Sequence, residues 1–319
     1  MEINLWGVRG SLPTPLTSDQ IQQKITRLVQ GHEEAKSQGT TTLSFLEYFN
    51  QMPVKQKYGY GGNSMCVEVK TTQSQLIIDA GTGIRHTLGP IMKKLKAQKS
   101  LDIHLYFTHF HWDHILGLPF FSPIYIPGAH LHFYSVQEEM EEVVRTLFKK
   151  PFFPVPFGEL KSTLSFHQLR PRTAHLIGDM EVTPYLLDHP DVCWGAKITH
   201  ENKSYAHCVD TEGVRLSAGD LGPDLPLYQN VDLMVYDAQY SIAEAREKVN
   251  WGHSSAQRGF EVALREKIKK VVFVHHDPFA SDEDISHTVN EAIGYFEQGP
   301  HDLSALNWEI GHEGMSIKL

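Results

Sequence analysis

The chain has 319 residues, 41% of them hydrophobic, which is enough for one large hydrophobic core or two smaller ones. A formal net charge of -9, from 38 acidic and 29 basic side chains, disfavours non-specific binding to nucleic acid but leaves room for a local basic patch. No apolar run approaches the ~20 residues that span a membrane, and we find neither a signal-peptide pattern nor paired cysteine spacing. These features predict a soluble, cytoplasmic protein without membrane association.

The amino-terminal part of the chain has the pattern of a strand over residues 2–8, followed by an insertion over about residues 17–50. Apolar residues recur at helical spacing in the first half of this insertion, and a shorter helix is predicted over residues 42–49. We favour a helical hairpin that packs against the body of the protein. A substrate lid or a homodimer contact is the alternative, because long insertions often carry function.

The next elements lead towards the most informative stretch of the chain. Residues 65–70 and 75–78 are predicted to form a β-hairpin, and Asp79 follows it directly, ahead of a Gly-x-Gly turn. A helix is predicted over residues 84–95. The apolar run at residues 103–107 then has the pattern of a buried strand.

Three histidines and an aspartate follow this strand within six positions: His109, His111, Asp113 and His114. Burying such polar side chains at the end of a strand costs free energy unless each has a hydrogen-bond partner or a bound ion. Imidazole and carboxylate groups are ligands for zinc, iron and manganese. Four clustered ligands, with more supplied from elsewhere, exceed a single tetrahedral shell and favour two adjacent metal ions. A surface loop that is merely rich in histidine is the alternative.

Further histidines and aspartates follow the ends of later predicted strands. Each of them, taken singly, is more often a satisfied structural polar group. Their shared position at the carboxyl ends of strands instead indicates one site at the edge of a sheet. We find neither a repeat nor a linker, and therefore predict a single domain over residues 1–319. These strands and the residues at their ends are 181–187 with Asp188 and His189, 203–209 with Asp210, and 270–274 with His275 and His276.

Residues 151–157 contain three prolines and three phenylalanines. The prolines prevent regular structure, and the phenylalanines are too apolar for a free loop. The segment is predicted either to strap the core or to form an aromatic wall of the site, where it could stack on a planar group.

The stretch His-x-His-x-Asp-His, from His109 to His114, resembles the signature of the metallo-β-lactamase superfamily of metallohydrolases. The later order of His189, Asp210 and a last histidine matches the same pattern, so the resemblance covers nearly the whole chain. It implies an α/β (α+β) fold, namely a four-layer αββα sandwich with two sheets face to face and helices outside.

Within the superfamily, the chain is most similar to the branch of tRNA 3′-processing endonucleases and related cyclic-nucleotide phosphodiesterases. Two features carry this similarity: Asp113 followed by His114, and Gly252-His253-Ser254-Ser255 followed by a helix, a strand and two histidines. The resemblance implies a role for each matching residue. The ligands of the first metal would be His109, His111 and His189, those of the second would be Asp113, His114 and His276 (with His275 as the alternative last ligand), and Asp210 would bridge the two. Asp113 would also be essential for catalysis, and Asp79 would support the turn that carries the metal ligands. His253 would act as a general acid or contact the phosphate, and Asp237 would orient it.

This ligand set implies two divalent metal ions, with zinc as the default and manganese or iron also compatible. Such a pair lowers the pKa of a shared water and gives a metal-bridging hydroxide near neutral pH. We therefore predict a metal-dependent hydrolase, a phosphodiesterase that acts on a small-molecule diester such as a 3′,5′-cyclic nucleotide.

Three alternatives stay open. They are an RNA-processing endonuclease of the tRNA 3′-end type, a hydrolase of a non-phosphate ester or lactone, and a non-catalytic metal-binding protein. The negative net charge and the lack of a Gly/Pro- and Lys-rich arm disfavour nucleic acid as the substrate, and the full ligand set disfavours a non-catalytic protein.

Overall fold

Two seven-stranded β-sheets form the centre of the molecule in the computed structural model, which describes residues 1–298, 303–304 and 306–319. The strands of this part of the chain are β1 (Glu2–Gly7), β2 (Cys66–Lys70), β3 (Gln75–Ile78), β4 (Leu101–Tyr106), β5 (Ala129–Ser135), β6 (Thr163–Gln168), β7 (His175–Ile177), β8 (Met180–Leu186), β9 (Trp194–His200), β10 (Lys203–Cys208), β11 (Leu233–Asp237), β12 (Lys270–Val274), β13 (Asn307–Ile310) and β14 (Met315–Lys318).

Helices connect these strands and cover the sheets. The α-helices are α1 (Ser18–Ser37), α2 (Phe45–Gln51), α3 (Val54–Tyr58), α4 (Leu88–Gln98), α5 (Trp112–Ile115), α6 (Met140–Leu147), α7 (Ala218–Leu221), α8 (Ile242–Glu247), α9 (Ala256–Arg265) and α10 (Asp282–Glu297). Short 3₁₀ helices span Thr82–Thr87, Leu118–Phe120, Ser122–Tyr125, Phe157–Glu159 and Gly222–Leu227. Among the helices of the described residues, none combines the length and the apolar character that crossing a membrane requires.

The strand order places several strand ends along one edge of the molecule. The first sheet has the order β14-β1-β2-β3-β4-β5-β6, and β3 to β6 run parallel. The second sheet has the order β13-β12-β11-β10-β9-β8-β7, and β10 to β13 run parallel. Because parallel neighbours end on the same side of a sheet, the loops that follow β3 and β4, and those that follow β10, β11 and β12, are neighbours within their sheets.

The two sheets pack face to face over a core of buried aliphatic side chains, with Val69 of the first sheet and Val272 of the second among its members. Helix α4 covers the outer face of the first sheet, where Ile91 is buried, and helices α9 and α10 cover the second sheet with Phe260 and Phe296. The helix–sheet–sheet–helix arrangement confirms the predicted four-layer sandwich. Its driving force is the burial of one apolar face of each sheet against the other and of the second face against helices.

The insertion after β1 contains three helices rather than two, and they extend to Tyr58. Helix α2 begins three residues later than predicted because Ser44 caps it: the hydroxyl accepts from the backbone N–H of Glu47. Helix α1 is tied to the first turn of α10 by an ion pair between Lys24 Nζ and Asp282 Oδ2 at 2.7 Å. The insertion therefore contacts the helix that follows the last predicted ligand.

The segment rich in proline and phenylalanine packs beside α6. The ring of Phe153 meets Phe120 and Phe148 edge-to-face, each at 5.6 Å between centroids, and the guanidinium of Arg145 lies 4.1 Å from the ring of Phe157. Of the three phenylalanines in the segment, only Phe152 is strongly exposed. These contacts favour the interpretation as a strap over the core. Strands β6 and β7, which follow this segment, are partly exposed edge strands without a strong apolar pattern, and the sequence did not predict them.

Candidate metal centre

The His-x-His-x-Asp-His stretch leaves the end of β4 and enters the one-turn helix α5. His111 occupies the N-cap position of this helix, and Asp113 and His114 lie within it. His109, Asp113 and His114 are buried, while His111 is partly exposed. The short turn therefore places four possible ligands around one point at the carboxyl edge of the first sheet.

Asp79 and Thr108 stabilise this turn through hydrogen bonds. The backbone N–H and the hydroxyl of Thr108 both donate to the carboxylate of Asp79, each at 2.9 Å. The same carboxylate lies 2.7 Å from Nδ1 of His114. A carboxylate that accepts from Nδ1 sets the tautomer of the ring, so that Nε2 of His114 is free to bind a metal.

Three residues close to strand ends have a left-handed backbone conformation. They are Asp79 after β3 (φ 60°), Asp210 after β10 (φ 63°) and His275 after β12 (φ 62°). This region is uncommon for residues other than glycine, and non-glycine residues in it are often found at functional sites. The conformation interrupts the alternation of side chains along the strand and brings these three side chains to the shared edge.

The first donor group consists of His109, His111, His189 and Asp210, whose donor atoms all lie within 4.8 Å of one another. Nε2 of His109 lies 3.4 Å from Oδ2 of Asp210, and Nε2 of His189 lies 3.9 Å from the same oxygen. The ring of His111 lies 4.5 Å from that of His109 and 4.9 Å from that of His189.

The second donor group consists of Asp113, His114 and His275, again within 4.8 Å of one another. Oδ2 of Asp113 lies 3.3 Å from Nε2 of both histidines. Oδ1 of Asp210 lies 3.2 Å from Nε2 of His114 and 3.0 Å from Nε2 of His275. The two oxygens of Asp210 thus face different donor groups, which is the arrangement of a bridging carboxylate.

Several donor atoms at this centre are buried without a hydrogen bond among the described residues. They include Nε2 of His109, Nε2 of His114 and Oδ1 of Asp210. Buried polar atoms are normally satisfied, because leaving one unpaired costs about 1–3 kcal/mol. Divalent cations at the two donor groups would satisfy these atoms, and the mixed imidazole and carboxylate donors suit such ions.

Comparison with known proteins decides the family. Residues 74–276 match the family model described as the beta-lactamase superfamily domain, which is well over half of the chain. The chain belongs to the metallo-β-lactamase superfamily. Membership indicates a metal-dependent hydrolase, in agreement with the donor groups at the edge of the two sheets.

Relatives in this superfamily cover most of the chain at low identity. Ribonuclease BN from Escherichia coli is 24% identical over 279 residues, with 70% of this chain and 86% of that protein covered. The crystal structure of unliganded yeast PDE1 is similar with a TM-score of 0.63 at 15% identity, over 100% and 99% of the two chains. A diphosphatase of the PhnP family is similar with a TM-score of 0.59 at 16% identity, over 100% and 97%. The structural likenesses show the shared fold.

His276, which the resemblance assigned to the second metal, lies outside both donor groups of this superfamily member. Its backbone N–H donates to the carbonyl of Val8 at 2.9 Å, and its Nε2 lies 2.9 Å from the carbonyl oxygen of Gly311. Its ring packs against Tyr60 at 5.4 Å. Burial lowers the pKa of His276 to about 3, so the neutral ring donates to Gly311.

His275 takes the place that was predicted for His276. The resemblance favoured His276 by aligning the end of this strand with that of the family and kept His275 as the alternative, and the structure places the alternative, His275, in the donor group. Alternation stops at Val274, the last residue of β12, and the left-handed conformation of His275 directs its imidazole to the donor group.

The sequence also missed contacts from the segment after β1. The backbone N–H of Ser11 donates to Oδ2 of Asp113 at 2.8 Å. A Cβ atom at Gly10 would overlap the imidazole of His275, so a glycine is required for this approach. The Gly10-Ser11 break was visible in the sequence, but nothing in it indicated which residues it would approach. Near His111, Asp191 was also missed: its Oδ2 lies 2.8 Å from Nε2 of that ring.

His253 and Asp237 lie beside the donor groups, as the resemblance implied. Oδ2 of Asp237 lies 3.0 Å from Nδ1 of His253 and 3.4 Å from Nδ1 of His275, and it accepts from the backbone N–H of Asp210 at 3.2 Å. The ring of His253 is 4.7 Å from that of His275 and 6.3 Å from that of His189. Asp237 therefore positions groups on both sides of the centre.

The charges of the centre favour cation binding. Burial raises the pKa of Asp210, but the nearby His275, His114 and His109 outweigh this effect and hold the pKa well below its ordinary value. Burial lowers the pKa of His275, but the carboxylates of Asp210 and Asp237 outweigh it and raise the pKa to about 10. Ionised carboxylates next to imidazole nitrogens form a site where a divalent cation can replace the proton.

Proposed function

We propose that this protein is a phosphodiesterase that hydrolyses a small phosphodiester, such as a 3′,5′-cyclic nucleotide, at a dinuclear metal centre. The proposed ligands are His109, His111 and His189 for one ion and Asp113, His114 and His275 for the other, with Asp210 shared. Bound there, two divalent ions would supply an activated water and positive charge for the phosphoryl oxygens. Zinc is the preferred ion, and manganese or iron also fit the donor set.

The observation that supports this proposal is that the two carboxylate oxygens of Asp210 face different donor groups. Its Oδ2 faces His109 and its Oδ1 faces His275, at 3.4 Å and 3.0 Å. A single ion would need only one of these oxygens. A carboxylate that presents one oxygen to each of two donor groups supports two ions held close together, as phosphoryl transfer by two metals requires.

His253 is proposed as the general acid. Its Nδ1 is held by Asp237 at 3.0 Å, which leaves Nε2 as the nitrogen that can pass a proton to the leaving alkoxide. The histidine is mostly buried next to the donor groups, so its proton is delivered to a substrate at the centre and not to bulk water. Asp237 acts as a positioning residue in this scheme, because its carboxylate fixes the ring.

Exposed aromatic side chains adjoin the motifs of the centre and support a substrate with a planar group. Trp112 directly follows His111 and is 65% exposed, and Trp251 lies two residues before His253 and is 64% exposed. An exposed indole ring can stack on a nucleobase, so these two residues could contact the planar group of a nucleotide.

An RNA-processing nuclease is the second candidate. The similarity to Ribonuclease BN along most of the chain favours it. The net charge of -9 counts against it, because RNA binding depends on neutralising several phosphates.

The test is product analysis after metal-loaded protein is incubated with 3′,5′-cyclic AMP and, separately, with a precursor tRNA. We expect AMP from the native protein, no AMP from Asp113→Ala, and a strongly lowered rate with unchanged metal content from His253→Ala. His287→Ala, at an exposed position on α10, is the matched control and should behave like the native protein. Cleavage of the tRNA without release of AMP would replace the first candidate by the second. AMP formation that persists in Asp113→Ala would overturn both.

A further inference from the structure

Outside the two donor groups of the centre, another cluster of side chains that could bind a metal lies on the first sheet. Asp102 on β4 and His130 and His132 on β5 place three donor atoms within 4.8 Å of one another. Asp102 and His130 are the second residues of their strands and His132 is the middle residue of β5, whereas the metal centre follows the carboxyl end of β4. Asp102 and Thr108, which lies beside the centre, are six positions apart along the chain, which corresponds to roughly 20 Å of extended backbone.

The register of parallel strands explains why these side chains meet. Asp102 pairs with His130, and His104 pairs with His132, so all four residues point to the same face of the sheet. Oδ1 of Asp102 lies 2.9 Å from Nε2 of His132 and 3.3 Å from Nδ1 of His130. Neighbouring donors of a tetrahedral ion with bonds of about 2.1 Å are about 3.4 Å apart, so little movement would be needed to admit one.

The other nitrogen of each imidazole has a hydrogen-bond partner. Nε2 of His130 lies 2.9 Å from the hydroxyl of Ser165, and Nδ1 of His132 lies 3.2 Å from Nε2 of His167. Both partners are on β6. Histidines that bind metals almost always donate their second N–H to such a partner, which fixes the ring and its tautomer. A pair of surface histidines that only contacts a carboxylate does not need these additional hydrogen-bond partners.

His104 adds a further imidazole beside the proposed ligands. His104 stacks on His132 at 5.0 Å, and its Nδ1 lies 3.0 Å from the hydroxyl of Tyr134. The side chain of Asp102 is 65% exposed, so water can complete the shell of an ion.

We propose that Asp102, His130 and His132 form a third, mononuclear binding site for a zinc-type divalent ion, with Ser165 and His167 as supporting residues. Two imidazoles and one carboxylate suit zinc, and an open fourth position makes the ion exchangeable. A bound ion would cross-link β4 to β5 and would stabilise the first sheet at the end opposite the hydrolytic centre.

The test measures zinc per chain on the full-length protein by equilibrium dialysis against low micromolar free Zn²⁺, followed by elemental analysis. Asp102→Asn and His132→Gln should each bind one ion fewer than the native protein. Asp102→Asn changes an exposed, isosteric group, so it reports on the site even if His132→Gln folds poorly. His175→Gln, at a partly exposed histidine on β7 outside the proposed site, is the matched control and should keep the native content.

Zinc loss from the site at Asp102 can be distinguished from zinc loss at the proposed dinuclear centre. Asp210→Ala should lower the zinc content through the proposed dinuclear site, yet it should keep the ion that Asp102→Asn removes. The double variant should therefore bind one ion fewer than Asp210→Ala alone. Equal zinc content in the native protein, Asp102→Asn and His132→Gln would overturn the proposal whatever the substrate of the enzyme proves to be.

Discussion

Oδ1 of Asp210 lies 3.0 Å from Nε2 of His275, and each of these residues follows its strand in a left-handed backbone conformation, with φ of 63° and 62°. They come from β10 and β12, which are separated by β11 in the second sheet. The same unusual turn at two strand ends brings a carboxylate and an imidazole together over the edge of the intervening strand. This local geometry, more than the spacing of residues in the sequence, sets the identity of the last proposed ligand.

The two adjacent histidines provide a direct test of that assignment. His275→Ala should lose metal from the centre and lower turnover more than about a hundredfold, because changes to supporting residues alone cost up to that factor. His276→Ala should keep the metal content and instead lower the free energy of unfolding by about 1–3 kcal/mol, because the carbonyl of Gly311 loses its donor. Elemental analysis and urea unfolding separate the two effects. Metal loss in His276→Ala with full occupancy in His275→Ala would reverse the assignment.

Asp79 should matter for metal affinity although it belongs to neither donor group. Asp79→Asn can no longer hold Nδ1 of His114 with a charged acceptor, so we expect the affinity of the centre for metal to fall by about 10- to 100-fold. Competition with a coloured chelator measures this change. Glu138→Gln, at an exposed position, is the control. An unchanged affinity in Asp79→Asn would show that the turn is held without this carboxylate.

Gly252 allows the approach of the segment that carries His253. Its φ is 88°, and a Cβ at this position would overlap the imidazole of His189. Gly252→Ala should therefore displace a proposed ligand, lower turnover more than about tenfold, and reduce stability by about 1–3 kcal/mol. The matched control is Gly294→Ala on α10, where a Cβ meets no atom of the described residues within 4 Å. The control should be neutral or more stable, because alanine favours a helix by about 0.5–1 kcal/mol. Native turnover in Gly252→Ala would contradict the overlap.

Asp224 should support the fold in a pH-dependent way. It is buried and accepts from Nε of Arg172 and from Nη1 of Arg215, each at 2.8 Å. Burial raises the pKa of Asp224, but the hydrogen bonds from the two arginines outweigh burial and lower the pKa below its ordinary value. Asp224→Asn should cost about 2–3 kcal/mol of unfolding free energy at neutral pH.

The sign of the pH effect follows from the lowered pKa. A carboxylate whose pKa is lower in the folded state contributes stability above its unfolded pKa and loses it as the pH falls through the folded value. The difference between the native protein and Asp224→Asn should therefore shrink in acid. Urea unfolding at neutral and acidic pH measures it, and a difference that grows in acid would refute the ion-pair explanation.

The sequence determined the layers of the fold and most of the centre. Apolar runs that end near His109, His189 or Asp210 indicated strands with polar carboxyl ends, because such side chains do not end a buried strand without a partner. The motif order then identified the superfamily, and the family match confirmed it.

Tertiary structure alone decided three features. It selected His275 over His276, because a positive φ cannot be read from two adjacent histidines. It brought Ser11 to Asp113 across more than a hundred residues, through the packing of the segment after β1 against the metal turn. It gathered Asp102, His130 and His132 on one face, since the register between parallel strands is fixed only when the sheet assembles. The spacing of residues in the sequence predicts structure within one chain segment, whereas each of these features depends on how separate segments pack against each other.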